Sequence, residues 1–262
     1  MSIWKSVAEL EKNQEAGVLC TIVRSQGSTP RHIGSKMLVK SDGTIIGSVG
    51  GGELENRTIS AALGLLPDGV PGRLEYNLND PAQGDPGICG GQVEIYMEPI
   101  IPKATLVVVG AGHVGQAVAH LAHWLDFRLI ISDDRPEFCN PEIIPNAEEY
   151  FPVPLEELPL KLKITPWTYV VMTTRSVDVD VPGLPALLDS PAAYIGVIGS
   201  RRRWETTQKH LAAAGVSKVI IDRIRSPMGL KDQAETPKDN AVSIMAVIIL
   251  IRLGRGLEVA GL

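Results

Sequence analysis

The sequence lacks the features that would indicate a disulfide framework, a zinc site built from cysteines or a general nucleic-acid binder. Its 262 residues include three cysteines and no C-x-x-C pair. This disfavours both a disulfide framework and a cysteine zinc site, and it fits a reducing cytoplasm. The formal net charge of −5 argues against a broad basic face that would bind phosphate backbones. It does not exclude a local basic pocket for a phosphorylated small molecule. With 44% hydrophobic and 21% charged residues, the composition is that of an ordinary globular chain.

Long apolar runs are also missing, and we expect no secretory leader. The longest strongly apolar stretch, Ala241 to Ile251, is shorter than the roughly 20 residues that cross a bilayer, and its Ser243 fits a buried terminal helix. The opening segment MSIWKSVAELEKNQ is too polar and acidic for a secretory signal. We therefore expect a cytoplasmic protein without a membrane span.

The first hundred residues predict a small α+β domain. Apolar positions at helical spacing predict a helix over Ile3–Glu15, and an Asp-Gly turn at 42–43 between β-rich runs predicts a hairpin. The expected strands are Val18–Val23, Met37–Lys40, Thr44–Ile46, Arg73–Leu78 and Gln92–Glu98. Two prolines in the segment 99–102 predict a linker, so we expect domains at residues 1–100 and 101–262.

Beyond the linker, strand and helix patterns alternate, which predicts a parallel sheet with crossover helices. Three of the four expected strands are continuous apolar runs, as strands covered on both faces should be. The expected strands are Thr105–Val109, Arg128–Ser132, Tyr169–Met172 and Tyr194–Ile198, followed by a terminal helix over Pro237–Leu253. The expected fold class is α/β, a C-terminal Rossmann-like parallel sheet domain preceded by a smaller α+β domain.

The loop after the first of these strands has the G-x-G-x-x-G spacing of a dinucleotide site. Gly110 permits a tight turn, Gly112 lets the backbone approach a pyrophosphate, and Gly115 lets the helix pack on the strand. The free N–H groups at the helix start suit phosphates, and His113 lies beside any pyrophosphate bound there. The alternative is that these glycines only form a tight strand–helix turn.

The acidic pair at the end of the next strand completes this pattern. Asp133 lies about 20 residues past the loop, where a carboxylate can bind a ribose hydroxyl, and Asp134 follows it. Asp133 favours NAD over NADP because it would repel a 2′-phosphate. Arg135 could meet a phosphate or stack on a base and leaves that choice open. A nucleotide fold by itself does not establish hydride transfer, and neither a Tyr-x-x-x-Lys motif nor a His–Asp pair is evident.

A Gly-Ser-Arg-Arg-Arg segment at 199–203 follows the fourth strand. Ser200 and Arg201 are candidates to clamp a phosphate at the carboxyl edge of the sheet, and a solvated helix start is an equally weighted alternative. The three histidines His113, His120 and His123 share one side of a predicted helix. They have no evident carboxylate or cysteine partner, so we expect no metal site.

Two segments of the first half, 27–31 and 48–53, have the residue types of an anion site. Consecutive glycine N–H groups can form a nest, and hydroxyls with an arginine can complete a phosphate site. The alternative is a pair of structural turns. The candidate residues are Ser28, Thr29, Arg31, Gly50, Gly51, Gly52 and Glu53.

One cysteine is a candidate for chemistry. Cys89 precedes a Gly-Gly pair, where backbone and sulfur are expected to be accessible, so it is a candidate reactive or ligand-binding thiol. A loop cysteine without a role is the equally weighted alternative. Cys20, inside an apolar run, is expected in the core, and Cys139 has no supporting context.

Together these segments resemble the XdhC/CoxI family, the accessory proteins of xanthine dehydrogenase and related molybdenum hydroxylases. The resemblance covers nearly the whole chain, and its ordered motifs are specific as a set. They are G-S-T-P-R at 27–31, D-G-T-I-I-G-S-V-G-G-G-E-L-E at 42–55, C-G-G-Q-V-E at 89–94, G-A-G-H-V-G at 110–115, D-D-R-P-E-F at 133–138, Y-I-G-V-I-G-S-R-R-R at 194–203, P-M-G-L at 227–230, A-E-T-P at 234–237 and A-V-S-I at 241–244.

The resemblance implies a molybdenum-cofactor chaperone more than an enzyme. Such a protein would bind molybdopterin or its cytosine dinucleotide form, assist its sulfuration and deliver it to the apoenzyme of a xanthine dehydrogenase- or CO dehydrogenase-type hydroxylase. The first-half loops and Cys89 would hold the cofactor, and the Rossmann unit its nucleotide part or a separate NAD(P). A sulfur-donating desulfurase is a further implied partner. The sheet edge and apolar terminal helix suggest a homodimer.

Two other functions stay open, and the chain departs from the family pattern in two places. The alternatives are an NAD(P)-dependent oxidoreductase and a dinucleotide-sensing regulator. Residues 172–176 read M-T-T-R-S where many relatives have an M-T-H-D-H-like segment, and the K-D-Q stretch at 231–233 replaces a commoner glycine. Any chemistry of the missing histidines is in doubt here, with Asp178 and Asp180 as nearby substitutes.

Overall fold

The computed structural model describes residues 2–78, 90–230 and 234–254. The chain forms two compact units, residues 1–102 and 103–262. No helix among the described residues is long and apolar enough to cross a membrane.

The first unit is an antiparallel sheet with two helices. Its elements are α1 (Ile3–Lys12), β1 (Gly17–Gln26), β2 (Lys36–Lys40), β3 (Ile45–Gly47), α2 (Gly52–Leu65), β4 (Gly72–Asn77) and β5 (Gln92–Ile100), and the strand order is β3-β2-β1-β5-β4. The predicted hairpin is confirmed, since β2 pairs antiparallel with β3 across the Asp-Gly turn. Leu54, Thr58 and Ala62 are the buried residues of α2, because positions four apart share one face of a helix.

The predicted linker at 99–102 is wrong in its first half. Pro99 lies inside β5 and pairs with Val18 of β1. A proline cannot donate to a sheet ladder, so it is tolerated only where one side of the strand has no partner. That condition holds here, because the pairing of β4 with β5 stops at Met97.

The second unit is a parallel six-stranded sheet with helices on both faces, which confirms the predicted fold class. Its elements are β6 (Thr105–Val109), α3 (His113–Trp124), β7 (Arg128–Ser132), β8 (Glu149–Phe151), a 3-10 turn (Leu155–Glu157), α4 (Leu158–Lys161), β9 (Thr168–Met172), α5 (Val177–Leu188), β10 (Tyr194–Val197), α6 (Arg201–Ala213), α7 (Lys218–Ile221), β11 (Ile224–Arg225) and α8 (Pro237–Arg252). The strand order is β11-β10-β9-β6-β7-β8, with all pairs parallel.

Strand β6 shows why its sequence is a continuous apolar run. Leu106 and Val108 pack into a core with α3 and α8, and Val107 and Val109 pack into a second core with α5 and α6. Alternate side chains of a strand point to opposite faces, so a strand covered on both faces must be apolar at every position. The chain winds from β6 towards β8 on one side and from β9 towards β11 on the other. Its direction of winding therefore reverses between β6 and β9.

Three sequence motifs near the end of the chain have structural roles in this unit. The buried Tyr194 hydroxyl donates to the Met228 carbonyl over 2.7 Å, and the Leu230 N–H donates to the Ser243 hydroxyl over 2.8 Å. A Cβ added to Gly229 would overlap the Ser243 side chain. Thr236 caps α8 in a capping box, so P-M-G-L, A-E-T-P and A-V-S-I together fix the terminal helix.

Candidate functional site

The Rossmann glycine loop, residues 110–115, brings three glycines into three different environments. Gly110 has φ +100°, and a Cβ there would lie 2.8 Å from the Thr173 carbonyl, so only glycine fits beside β9. A Cβ on Gly115 would overlap the carbonyl oxygen of Gly110. A Cβ on Gly112 would meet nothing within 4 Å. The first and third glycines therefore permit close packing, and the second leaves the backbone approachable.

A crevice of about 180 Å³ lies at the carboxyl ends of β6, β7 and β9, where the winding of the sheet reverses. Open α/β sheets bind their ligands at this position. The lining residues are Val109, Gly110, Gly112, Ser132, Asp133, Asp134, Arg135, Val153, Leu155, Thr173, Thr174, Arg175 and Val179.

Asp133 is buried in the wall of the crevice and bonded inside the protein. Its Oδ2 accepts from the Ala111 N–H over 2.8 Å and from Nη2 of Arg135 over 2.9 Å. Its Oδ1 accepts from the backbone N–H of Arg135 over 3.0 Å and from Nε over 2.9 Å. The Asp133 side chain is only 2% exposed. Its carboxylate thereby ties the Rossmann glycine loop to the end of β7.

The Arg135 guanidinium contacts both the Asp133 carboxylate and the ring of Phe138. Its guanidinium lies 4.0 Å from the ring centroid of Phe138, in addition to its two bonds with Asp133. The hydrogen bonds with Asp133 raise the pKa of Arg135. Ribose binding by Asp133 and phosphate binding by Arg135 stay predictions, and both groups already have partners in the folded chain.

The outer edge of the crevice carries an exposed ion pair. Nη1 and Nη2 of Arg175 donate to the two carboxylate oxygens of Asp134 over 2.6 Å each. The hydrogen bonds from Arg175 hold the pKa of Asp134 below its ordinary value. Asp134 follows β7 and Arg175 follows β9, and these strands flank β6. The pair therefore spans the carboxyl end of β6.

The segment where the family histidines are missing is held by a buried network. Nη2 of Arg203 donates to Asp180 over 2.6 Å, and the Thr174 hydroxyl also bonds this carboxylate. Nη1 of Arg203 donates to the Thr174 carbonyl over 2.9 Å. Asp180 is fully buried, whereas Asp178 is exposed. Asp180 was not foreseen as an ion-pair partner, and its spacing to Arg203 gave no local signal.

The crevice lining does not include three other predicted residues of this unit, Ser200, Arg201 and His113. The Ser200 hydroxyl accepts from the Arg203 N–H over 3.3 Å and caps α6, and Arg201 is exposed in the first turn of that helix. His113 is exposed at the start of α3. Within the described ranges there is no group of three or more histidine, cysteine, aspartate and glutamate side chains that could hold a metal.

The two candidate loops of the first unit are brought together by the fold. A Cβ on Gly50 would lie 2.7 Å from the Pro30 ring, so segments 27–31 and 48–53 are in contact. A Cβ on Gly27 would lie 2.9 Å from the Gly90 carbonyl, and one on Gly91 would overlap the Ser28 carbonyl. The residues that follow Cys89 in the sequence thus pack on the first candidate segment. Cys89 itself lies outside the described residues.

Hydroxyl and charged groups of these segments differ in their environment. Thr29 shares a 2.7 Å hydrogen bond with Ser25 and donates to the Arg31 carbonyl over 3.0 Å. Ser28 and Arg31 are exposed, and Glu53 pairs with the next turn of α2 through Arg57 at 3.0 Å. Ser28 and Arg31 are therefore the exposed candidates, whereas Thr29 and Glu53 have partners in the protein.

The first-unit glycine loop, residues 48–52, is filled by a carboxylate of its own helix. One oxygen of Glu55 accepts from the Ser48 hydroxyl over 2.5 Å, the Gly51 N–H over 3.0 Å, the Val49 N–H over 3.3 Å and the Gly50 N–H over 3.4 Å. Burial raises the pKa of Glu55, but these hydrogen bonds together outweigh burial and lower it. Glu55 was not predicted as a site residue, although an acid in the first helical turn after a glycine run was the available signal.

The two cysteines within the described ranges are core residues. Cys20 is buried in β1, and burial raises its pKa to about 12. Cys139 is buried near the end of β7, and burial raises its pKa as well. Both stay protonated thiols near neutral pH, so neither is poised for nucleophilic chemistry.

Comparisons with known proteins match both units. Residues 106–248 match the family model described as the XdhC Rossmann domain, and residues 10–77 match that of the XdhC and CoxI family. The uncharacterized protein YqeB of Escherichia coli is 33% identical over 261 residues, covering 96% of this chain and 46% of that protein. A protein of Bacillus subtilis named as a probable xanthine dehydrogenase component is 30% identical over 158 residues, covering 60% of this chain and 46% of that protein. This chain thus spans about half the length of these two relatives.

Two further similarities extend over nearly the whole chain. The molybdenum cofactor insertion chaperone PaoD of Escherichia coli is 23% identical, covering 96% of this chain and 88% of that protein. A crystal structure of a xanthine dehydrogenase from Bacillus halodurans has a TM-score of 0.52 and 22% identity, covering 98% of this chain and 97% of that chain, which supports the fold alone. Since the XdhC Rossmann model alone matches more than half of the residues, the chain belongs to the XdhC and CoxI family.

Proposed function

We propose that this protein is an accessory factor that binds molybdenum cofactor, assists its sulfuration and delivers it to a xanthine dehydrogenase- or CO dehydrogenase-type molybdenum hydroxylase. The observation that carries the proposal is family membership in both units, together with 23% identity to the relative named a molybdenum cofactor insertion chaperone. The apoenzyme is the principal partner, and a desulfurase is the source of sulfur.

The contact between segments 27–31, 48–53 and 90–91 supports the first unit as the place for the cofactor. Arg31 and Ser28 are exposed there and can bind a phosphate. Cys89 adjoins this cluster in sequence, and a thiolate suits the soft molybdenum–sulfur centre. The first-unit glycine loop accepts a phosphate only if the Glu55 carboxylate leaves it, because one anion already occupies its N–H groups.

The crevice of the second unit supports a nucleotide ligand. Its position at the reversal of the sheet and the open side of Gly112 suit the cytosine dinucleotide form of the cofactor, or NAD(P) as a separate ligand. In either case the pyrophosphate would approach the N–H groups of the first turn of α3.

The test is anaerobic binding of purified molybdenum cofactor by the full chain, followed by activation of a xanthine dehydrogenase-type apoenzyme. We expect binding and an increase in apoenzyme activity, both reduced in Arg31→Ala and Cys89→Ala. Asp189→Asn is the control, because this carboxylate is exposed, lies outside the crevice lining and is not a candidate site residue. Protein that neither binds the cofactor nor activates the apoenzyme would remove the proposal.

A redox enzyme is the second candidate function, and the crevice is the observation that favours it. A nicotinamide dinucleotide in the crevice would place hydride chemistry at the same sheet edge. A broad substrate screen for absorbance change at 340 nm tests this candidate. Turnover abolished by Gly112→Val would replace the chaperone proposal, and binding of NAD(H) without turnover would favour a dinucleotide sensor.

A further inference from the structure

A cavity of about 290 Å³ lies on the first unit, where β1, β5 and β4 run side by side. Its polar lining forms two rows that cross these three strands. In the first row, Glu94 of β5 lies between Arg24 of β1 and Glu75 of β4. The second row, two residues away on each strand, consists of the amides Gln26, Gln92 and Asn77. Cross-strand partners and residues two apart share one face of a sheet, so all six side chains belong to the same face.

A β-bulge in β1 brings the arginine to this face. The register of β1 against β5 shifts between Ile22 and Arg24, so Val23 is an extra residue. Ile22 pairs with Ile95 and both are buried, whereas Arg24 pairs with Glu94 and is exposed. In a regular strand, residues 22 and 24 would lie on one face. The bulge therefore turns Arg24 away from the core, and bulges that re-aim a side chain in this way are common next to functional sites.

The two ends of the first row carry opposite charges. Glu75 and Glu94 are directly opposite each other, and like charges in such a pair repel. Arg73, from outside the cavity lining, donates to one oxygen of Glu94 over 2.7 Å. Among the described residues, no hydrogen bond or ion pair holds the side chain of Arg24 or of Glu75. The cavity therefore offers a carboxylate and a guanidinium on the two strands that flank β5, about 10 Å apart along the sheet.

A planar ring with two adjacent N–H donors at one end and an anionic substituent at the other matches these two charges. Two parallel N–H donors pair with the two oxygens of one carboxylate, as a guanidinium does. The 2-amino-4-oxo edge of a pterin presents its 2-amino group and its N3–H in this way, and guanine has the same edge. The cavity volume is at the lower end of the range for ligand sites, so it suits one ring system and not a whole dinucleotide.

We propose that this face of the first sheet binds the pterin ring of the cofactor, with Glu75 accepting from the 2-amino group and N3–H, and Arg24 pairing with an anionic group at the opposite end of the ring. Strand β1 continues from Arg24 through Gln26 into segment 27–31. The substituent end of the ring is thus on the side of Ser28 and Arg31, the exposed phosphate candidates. The identity of the ligand rests on the proposed function, whereas the recognition of its donor edge rests on the cavity.

The experiment is fluorescence titration of the full chain with 6-carboxypterin, unsubstituted pterin and 6-carboxylumazine. The lumazine has an oxo group in place of the 2-amino group, and unsubstituted pterin lacks the anion. We expect 6-carboxypterin to bind at least about tenfold more tightly than 6-carboxylumazine, because a hydrogen bond to a charged acceptor is lost. GMP and IMP make the same comparison for guanine, since IMP lacks the 2-amino group.

Two variants separate the two ends of the site. Glu75→Gln should abolish the preference for the 2-amino group. Arg24→Gln should abolish the preference for 6-carboxypterin over pterin and retain the preference for the 2-amino group. Both side chains are exposed, so neither change opens a cavity in the core. Glu98→Gln is the matched control, because this exposed glutamate lies on the same face of β5 outside the cavity lining. A merely structural role would lower the affinity for all three probes equally.

The outcomes separate this inference from the proposed function. Equal affinity for 6-carboxypterin and 6-carboxylumazine, a ratio that Glu75→Gln leaves unchanged, or binding of GMP without binding of 6-carboxypterin would each overturn the inference. Lack of binding by every probe would overturn it too, and protein that still binds molybdenum cofactor and activates the apoenzyme would leave the proposed function standing. A pterin preference that depends on Glu75, in protein that neither binds the cofactor nor activates the apoenzyme, would support the inference and remove the chaperone function.

Discussion

Each unit has a glycine-rich loop before a helix, but the backbone N–H groups of the two loops have different hydrogen-bond partners. In the first-unit glycine loop, the N–H groups of Val49, Gly50 and Gly51 all point to the carboxylate of Glu55. In the Rossmann glycine loop, Ala111 is the residue whose N–H donates to Asp133, and a Cβ on Gly112 would meet nothing within 4 Å. A run of glycines therefore indicates an anion-binding backbone, but the nearest acidic side chain decides whether a ligand or the protein supplies the anion.

The largest effect is expected from Gly115→Ala in the Rossmann glycine loop. The added Cβ would overlap the Gly110 carbonyl oxygen, so the helix start must move away from β6. We expect the free energy of unfolding to fall by about 3 kcal/mol. Gly112→Ala is the control, because its Cβ meets nothing within 4 Å. Urea unfolding measures both, and equal stability of the two variants would contradict close packing at Gly115.

Removal of the Glu55 carboxylate should leave the N–H groups of the first-unit glycine loop open to an added anion. Glu55→Ala leaves the N–H groups of the first-unit glycine loop without their acceptor, which should cost about 1 kcal/mol, as for a lost helix cap. Inorganic phosphate should then raise the melting temperature of the variant more than that of the unmodified protein. An identical response to phosphate in both proteins would show that Glu55 does not compete for an anion site.

Titration of Glu55 in the first-unit glycine loop should make the free energy of unfolding fall in acid. The pKa of Glu55 is lowered in the folded state, so its contribution to stability is present above its unfolded pKa of about 4.3 and is lost as pH falls through the folded value. Glu55→Gln removes this titration. The difference in stability between the two proteins should shrink below about pH 4.3, as followed by urea unfolding at several pH values. A difference that grows in acid would contradict the assignment.

The smallest effect on stability is expected at the outer edge of the crevice. The Asp134 and Arg175 side chains are 30% and 48% exposed, and water and salt screen such a pair. Asp134→Asn should lower the free energy of unfolding by at most about 0.5 kcal/mol. Chemical denaturation in low and high salt measures this change. A loss of several kcal/mol would show that the pair is a structural element and would weaken the prediction that Asp134 binds a ligand.

The sequence predicted the elements whose patterns are local and continuous. Strands Thr105–Val109 and Arg128–Ser132 are observed with the predicted limits, because apolar runs next to turn residues define both ends. Strand β8 was not predicted, since it has three residues and none is fully buried. Helix α5 includes Pro182 and Pro185, residues that sequence rules treat as helix breaks. Tertiary packing of buried Leu184 and Leu187 stabilises that helix in spite of them.

The roles of the site residues were less accessible to sequence. Asp133 stands where a ribose ligand is expected, but its side chain faces Ala111 and Arg135, which only the packing of β6 beside β7 decides. Asp180 meets Arg203 across 23 residues because α5 and α6 lie against the same sheet face. Such long-range pairs leave no periodic signal in the sequence.

By itself, the sequence determined the α/β class, the Rossmann glycine loop and the family, because periodicity and glycine spacing are local properties of the chain. Only the tertiary structure decided which donors each crevice acid meets and how much of its side chain stays exposed. The reason is geometric, since a carboxylate is filled or left open according to the donors that distant strands bring within about 3 Å of it. Asp133 and Asp134 are neighbours in sequence, but the fold leaves the first side chain 2% exposed and the second 30% exposed.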